Sequence, residues 1–144
     1  MRLDGGFYKI IPDSQGIIKE WICNGLGETS DWVGDNYTFG ITYKDEFVGG
    51  LIFNNYRANV EIWLTIYTVS PKWCSKSVLR YVFKTCFEKL NCQRVSVLVS
   101  KDNSKSLSLC ERLGFKKEGL LRRYRENGTD CYILGMLREE NKWS

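Results

Sequence analysis

Apolar positions in the first part of the chain switch between two periods. Phe7 to Ile11 is a short aromatic and β-branched run stopped by Pro12, which predicts a strand. Asp13 or Ser14 can cap a helix after it. Ile17, Ile18, Trp21, Ile22 and Leu26 then fall on one face of a helix, and Gly25 and Gly27 end it. Glu28 to Asn36 is polar and Gly-containing with one Trp, and reads as a loop or a broken helical turn.

Three strands follow: Tyr37 to Tyr43, Phe47 to Phe53 and Val60 to Val69, separated by Lys44-Asp45-Glu46 and by Asn54 to Asn59. Their β-branched and aromatic content predicts an antiparallel meander. Gly49-Gly50 inside the second marks a bulge or a close backbone neighbour. Ser75 to Leu90 carries the strongest helical stripe: Val78, Leu79, Val82, Phe83, Cys86, Phe87 and Leu90, with Lys76, Arg80, Lys84 and Glu88 opposite. Arg94 to Ser100 predicts a buried strand, and Asn103 to Leu113 a helix stopped by Gly114. Phe115 to Arg125 and Cys131 to Leu137 predict two last strands, with Asn127-Gly128 as a hairpin signal between them. The order β-α-β-β-β-α-β-α-β-β predicts an α/β fold, a mixed and mostly antiparallel central sheet flanked by helices, in a single domain over residues 1–144.

Composition narrows the chemistry. At 43% hydrophobic and 14% aromatic, the 144 residues can bury one sizeable core and are too apolar for disorder. No apolar run nears the roughly 18 residues of a membrane span, and Met1-Arg2-Leu3-Asp4 does not begin a signal peptide. A cytoplasmic protein with no membrane partner is expected. The chain has no histidine, which excludes Ser-His-Asp and Cys-His nucleophilic machinery. Its six cysteines include no Cys-x-x-Cys pair, so they read as reduced core residues and no metal site is expected. Chemistry must come from carboxylates, hydroxyls, thiols and backbone amides. The net charge of +4 is modest, but Lys116, Lys117, Arg122, Arg123 and Arg125 gather in the last third. They form either a solvated hairpin face or a platform for a polyphosphate or an acidic substrate.

Two segments carry candidate chemistry of their own. Val69 to Ser77 runs from a strand through a polar loop into a helix, and such a junction exposes unpaired N–H groups suited to a pyrophosphate, although any crossover has them. Alternation places Glu61, Trp63, Thr65, Tyr67 and Val69 on one largely aromatic face. Such surroundings would desolvate Glu61 as a general base requires, unless it is an ordinary solvent-facing strand residue.

Asn103-Ser104-Lys105-Ser106-Leu107-Ser108-Leu109-Cys110-Glu111-Arg112-Leu113-Gly114-Phe115 resembles the second half of the acyl-CoA core of the GNAT superfamily of N-acetyltransferases. The similarity covers roughly residues 37 to 138. Val69-Ser70-Pro71-Lys72-Trp73 is similar to the Val-x-Pro-x-aromatic lead-in of that family. The Gln/Arg-x-x-Gly-x-Gly/Ala motif that cradles the pyrophosphate then falls on Cys74 to Leu79. Cys74 replaces its first basic or amide residue, and Ser77 and Leu79 replace its glycines. The resemblance implies cofactor contacts from Tyr67, Thr68, Val69, Lys72, Trp73, Cys74, Ser75, Lys76, Ser77 and Asn103. It implies Glu61 as the base and Ser106 as the donor of a proton to the leaving thiolate, as in the ribosomal-protein N-terminal acetyltransferase branch. Cys110 stands where many members carry a tyrosine, either as a core residue or as an acyl carrier.

The function implied is direct transfer of an acyl group from acetyl-CoA to an amine, on a protein, a peptide or a small molecule. The resemblance leaves room for a homodimer, and the chain's overall look is similar to small phage and prophage members. Two alternatives accompany it. One is a phage enzyme acylating a nucleobase, with Arg122, Arg123, Tyr124 and Arg125 toward nucleic acid. The other is a degenerate, non-catalytic fold that binds a protein.

Overall fold

The predicted elements appear in the predicted order in the computed structural model, which describes residues 1–3 and 6–144, with one unpredicted two-residue strand ahead of them. Asp4, part of the N-terminal stretch considered above, lies outside the described residues. The elements are β1 (Arg2–Leu3), β2 (Tyr8–Pro12), α1 (Ile17–Gly25), β3 (Asn36–Tyr43), β4 (Glu46–Arg57), β5 (Glu61–Thr68), α2 (Lys76–Lys84), β6 (Arg94–Ser100), α3 (Ser104–Leu113), β7 (Lys116–Leu121) and β8 (Cys131–Leu137). The strands make one eight-stranded sheet in the order β1-β2-β3-β4-β5-β6-β8-β7. Every pairing is antiparallel except β5 with β6.

Side-chain alternation assigns each face of the sheet its helices. Leu51 and Phe53 of β4 and Ile62 and Leu64 of β5 point to the larger core, where α2 and α3 contribute Val78, Val82, Phe83, Cys110 and Leu113. Ile52, between Leu51 and Phe53, points the other way and packs with Ile22 and Cys23 of α1. Trp21, Leu26 and Tyr67 pack around that smaller cluster. Five of the six cysteines are buried and Cys74 is half-buried; none forms a disulfide. Among the described residues no helix is long and apolar enough to cross a membrane.

The helix ends follow local chemistry. Asp13 does cap α1, its carboxylate accepting from the N–H groups of Ile18 (3.3 Å) and Lys19 (2.9 Å). The helix nonetheless starts late, after Gly16 in a left-handed conformation. Ser75 caps α2 and Asn103 caps α3, while Gly114 at φ 113° ends α3. The stripe predicted through Leu90 continues beyond α2 as a π-helical turn over Thr85–Lys89, where Leu90 N–H reaches the Thr85 carbonyl (2.9 Å).

Both readings of Gly49-Gly50 hold. The β3–β4 register slips beside them, with Gly49 opposite Ile41 but Phe47 opposite Thr42. A Cβ on Gly49 would meet the Tyr67 carbonyl oxygen at 3.2 Å, and one on Gly50 would meet Ile22 Cδ1 at 2.8 Å. Two expectations need correction. β7 ends at Leu121 rather than Arg125, since Arg123 turns left-handed (φ 55°) and its N–H bonds the Asp130 carboxylate (2.7 Å). Asn127-Gly128 is therefore no two-residue hairpin but part of a longer connection over residues 122–130, drawn toward the loop that follows α1.

Gly25 ties this architecture to the site below. The Tyr67 ring lies where a Cβ on Gly25 would sit, and Trp21 packs edge-on against that ring at 5.2 Å. Gly25→Ala is expected to destabilise the protein by about 1–3 kcal/mol, as overpacking a filled site does. Urea denaturation measures it, and an unchanged midpoint would contradict the contact.

Candidate active site

Strands β5 and β6 run parallel for only four pairs, Glu61 with Arg94 to Leu64 with Val97. Beyond that point β5 stays on β4 as far as Thr68, and β6 stays on β8 as far as Ser100, so a wedge opens between them. The hydrogen-bond parity shows which groups face it. Arg94 N–H donates to the Val60 carbonyl (3.1 Å), which turns even-numbered residues of β5 toward β6. Val69 N–H donates to the Val48 carbonyl (3.0 Å), which turns odd-numbered ones toward β4. Past Leu64, the main-chain groups of Ile66 and Thr68 therefore face the wedge. Of the expected contacts Tyr67, Thr68 and Val69, only Thr68 has its amide free for a ligand, and Ile66 was missed.

The wedge opens into a cavity of about 970 Å³. Leu64 to Thr68 and Val97 to Ser100 form its floor, and α3 forms one wall through Asn103, Ser106, Leu109 and Cys110. The facing wall is made of the loop after α1 and the connection between β7 and β8. The cavity thus brings together Tyr67, Thr68, Asn103, Ser106 and Cys110 among the predicted residues. Asn103 accepts from Ser106 N–H at 3.1 Å, so the cap itself fixes the turn that carries the Ser106 hydroxyl. Burial, only partly offset by the neighbouring Ser106 side chain, pushes the Cys110 thiol up to about 11. Such a thiol is a poor acyl carrier at neutral pH.

The loop from Val69 to Ser77 does not line this cavity. It coils on itself: Trp73 N–H bonds the Ser70 carbonyl (3.4 Å), Cys74 N–H the Pro71 carbonyl (3.3 Å) and Lys72 N–H the Ser70 hydroxyl (3.2 Å). Ser75 Oγ accepts from Val78 N–H at 3.2 Å and Leu79 N–H bonds the Ser75 carbonyl at 3.0 Å. The Lys76 and Ser77 amides, ahead of the first intrahelical bond, remain open to an anion. Leu79 and Trp73, 4% and 3% exposed, are core residues and do not fill the space outside the helix end. Lys72 and Lys76 are exposed.

Glu61 stands apart. Leu64 is the lining residue of β5 nearest to it in sequence, about 10 Å along the strand at roughly 3.3 Å per residue. Its carboxylate lies between Arg57 (3.9 Å) and Arg94 (4.0 Å). The aromatic surroundings expected of a desolvated base are thus replaced by two guanidinium groups. The expected basic platform is also reduced, because Arg125 turns inward. Its Nε donates to Ser100 Oγ (2.9 Å) and its Nη1 lies 3.6 Å from Glu28.

Glu28 and Glu126 are the residues the sequence did not announce. Both line the cavity, and Glu28 is buried. Burial first, and then a hydrogen bond with the Glu126 side chain, raise the Glu28 carboxyl above its usual range. That same bond and the hydrogen bonds from Thr29 lower Glu126. Glu28 lies in a stretch without periodicity, and its partner follows far along the chain, so no local pattern marks the pair.

An acetyltransferase (GNAT) domain model matches residues 4–116. The SPbeta prophage-derived uncharacterized N-acetyltransferase YokL of Bacillus subtilis strain 168 is 29% identical, over 90% of this chain and 74% of its own. RimJ of Mycobacterium smegmatis, solved in complex with CoA-disulfide, is 27% identical with a TM-score of 0.64 over 77% of this chain. A mutant of the spermidine N-acetyltransferase SpeG of Vibrio cholerae shares the fold, with a TM-score of 0.70 over 93% of this chain and 95% of its own at 14% identity. The chain spans 64% and 57% of the first two solved acetyltransferases it matches, RimJ being the second.

The cysteines allow a direct check. At pH 7.5 a thiol titrating near 11 is thiolate in only about one molecule in several thousand. Iodoacetamide on the native protein is expected to label half-buried Cys74 first and to leave Cys110 unmodified, as read by peptide mass mapping. Incubation with acetyl-CoA alone is expected to leave no acetyl group on Cys110. Labelling of Cys110 at the rate of a free thiol would return it to the list of nucleophiles.

Proposed function

Because the chain belongs to the GNAT acetyltransferase family, we propose that it transfers the acetyl group of acetyl-CoA to an amine by direct attack on the thioester. The observation that carries this reading is the wedge, which leaves the main chain of Ile66 and Thr68 facing the cavity beside Ser106. Acetyl-CoA supplies an activated acyl group and a thiol leaving group. The Ile66 and Thr68 amides hold the pantetheine arm and polarise the thioester carbonyl. Their strand is already fixed by β4, so they need no reorganisation to do so. Binding both substrates in one cavity contributes much of the remaining rate enhancement.

The pyrophosphate is held by the open Lys76 and Ser77 amides, with Lys72 and Lys76 as counter-charges. Trp73, Cys74 and Ser75 build the turn that presents those amides. Asn103 positions the first turn of α3, and Ser106 gives a proton to the departing thiolate, while Cys110 serves as a core residue of the same helix. Glu61, between its two arginines, takes no part. The RimJ structure with CoA-disulfide supports the donor, and the spermidine acetyltransferase neighbour supports an amine acceptor. Six unpaired thiols fit a cytoplasmic setting, and the prophage-derived relative fits a phage-type origin. Burial of Leu79 and Trp73 supports catalysis over the binding-module alternative, because neither occupies the donor's place.

Acetyl-CoA at a hundred times its dissociation constant is expected to stabilise the protein by about 2.7 kcal/mol, a rise in Tm of roughly 5–10 °C. Ser106→Ala is expected to lower kcat on the order of a hundredfold, with the affinity for acetyl-CoA unchanged. Thermal melts and steady-state kinetics measure both. No shift with acetyl-CoA would end the proposal.

A further inference from the structure

The cavity wall opposite α3 holds a device that acetyl transfer, as described so far, does not use. Two loops 97 to 98 residues apart in sequence are clasped there by carboxylates. Glu126 accepts from Thr29 N–H at 2.8 Å and from the Thr29 hydroxyl at 2.9 Å. Glu28 accepts in return from Glu126 N–H at 3.3 Å. The chain is net +4, yet the charged residues lining this cavity are four acids (Glu28, Asp31, Asp102 and Glu126) and two bases (Lys105 and Arg125). One of those bases, Arg125, is already engaged by Glu28 and Ser100. The wall therefore favours a cation, the opposite of what a polyphosphate donor needs.

We propose that Glu28, supported by Glu126, receives a small alkylammonium acceptor and takes the proton that frees its nitrogen for attack. The inference rests on the acetyl-transfer reading above. An N–H bond of the ammonium breaks and an O–H bond forms on Glu28. The freed lone pair forms the N–C bond to the acyl carbon as the C–S bond breaks. The second N–H proton is released from the new amide, and Ser106 relays a proton to the sulfur. The Glu28 proton returns to solvent. A small acceptor fits a wall whose two loops are tied to each other by the clasp.

The groups facing Glu28 are Arg125 and Glu126 from the β7–β8 connection, Cys23 from α1 and Cys131 from β8. Burial and Glu126 hold its carboxyl above the usual range, against the pull of Arg125. Acceptor binding and turnover should thus strengthen as pH rises through a value above that of a free glutamate. Glu28→Gln keeps an acceptor for Glu126 N–H, so the clasp survives while the base is lost.

The test titrates the CoA-loaded protein by calorimetry with 1,4-diaminobutane and with the uncharged 1,4-butanediol, and measures acetyl transfer to the diamine in parallel. The wild type is expected to bind the diamine, more weakly at pH 5.5 than at pH 8, and not the diol. Glu28→Gln is expected to weaken diamine binding at least about tenfold, abolish its pH dependence and lower transfer on the order of 10²–10⁴-fold. CoA affinity should stay as in the wild type, while Tm is expected to fall because Arg125 loses its carboxylate partner. Equal binding of diamine and diol, or a Glu28→Gln protein indistinguishable from wild type, would overturn the inference. So would acetylation of a peptide N-terminus by a protein that ignores the diamine. Failure of the wild type to bind CoA would instead remove the acetyl-transfer reading itself.

Discussion

The structure depends on two neighbouring strands that part. β5 and β6 share a ladder only up to Leu64 and Val97, and each then completes its length on its other neighbour. Parting leaves main-chain groups of Ile66 and Thr68 without a strand partner, at a cost of about 1–3 kcal/mol for each one shielded from water. Packing holds the strands apart. On one face Tyr67 is wedged between Gly25 and Trp21, which fixes the end of β5 to α1. On the other, Cys110 and Leu113 of α3 lie in the main core while lining the gap. Gly49 lets β4 follow β5, with the Tyr67 carbonyl and the Trp73 side chain close by. The wedge leaves main-chain groups without a strand partner, and a ligand able to hydrogen-bond a strand edge would satisfy them.

The donor loop illustrates the same economy of side chains. Its departures from the glycine-rich pattern, Cys74, Ser77 and Leu79, would matter most if the anion had to approach those positions from inside. Leu79 instead points to the core between the sheet and α2, and the Ser75 hydroxyl occupies only the third amide of the helix. What remains is backbone, two open N–H groups at a helix end, which residue identity barely alters. Side-chain motifs therefore understate what such a loop can bind.

That distinction also explains what the sequence made legible. Periodicity and capping residues marked nearly every element, because those signals act within a few residues: Asp13, Ser75 and Asn103 each cap the helix beside them, and Gly114 ends one. Ser106 was singled out by the family resemblance, and the structure places it on the cavity wall one turn after its cap. Tertiary electrostatics were not legible. Alternation gave Glu61 a face but could not reveal that Arg57 and Arg94 lie beside it. Nor could it show where β5 and β6 separate, since nothing in either strand's pattern changes at Leu64 or Val97. Asn127-Gly128 looked like a tight turn, yet Glu126 one residue earlier is bound to Thr29. That contact diverts the connection into the cavity wall.

Reaction between a polyanionic donor and a cationic acceptor requires opposite fields within one small protein. Lys72, Lys76 and the open end of α2 lie outside the cavity, whereas Glu28, Asp31 and Glu126 line its wall across from α3. Arg125 gives that wall its balance. Burial and the neighbouring Glu126 side chain raise the Glu28 carboxyl, and Arg125 pulls against them. At 3.6 Å, with its Nε turned to Ser100, Arg125 offsets only part of that rise. In the proposed role these opposing pulls act on a base that must both take and return a proton in each cycle.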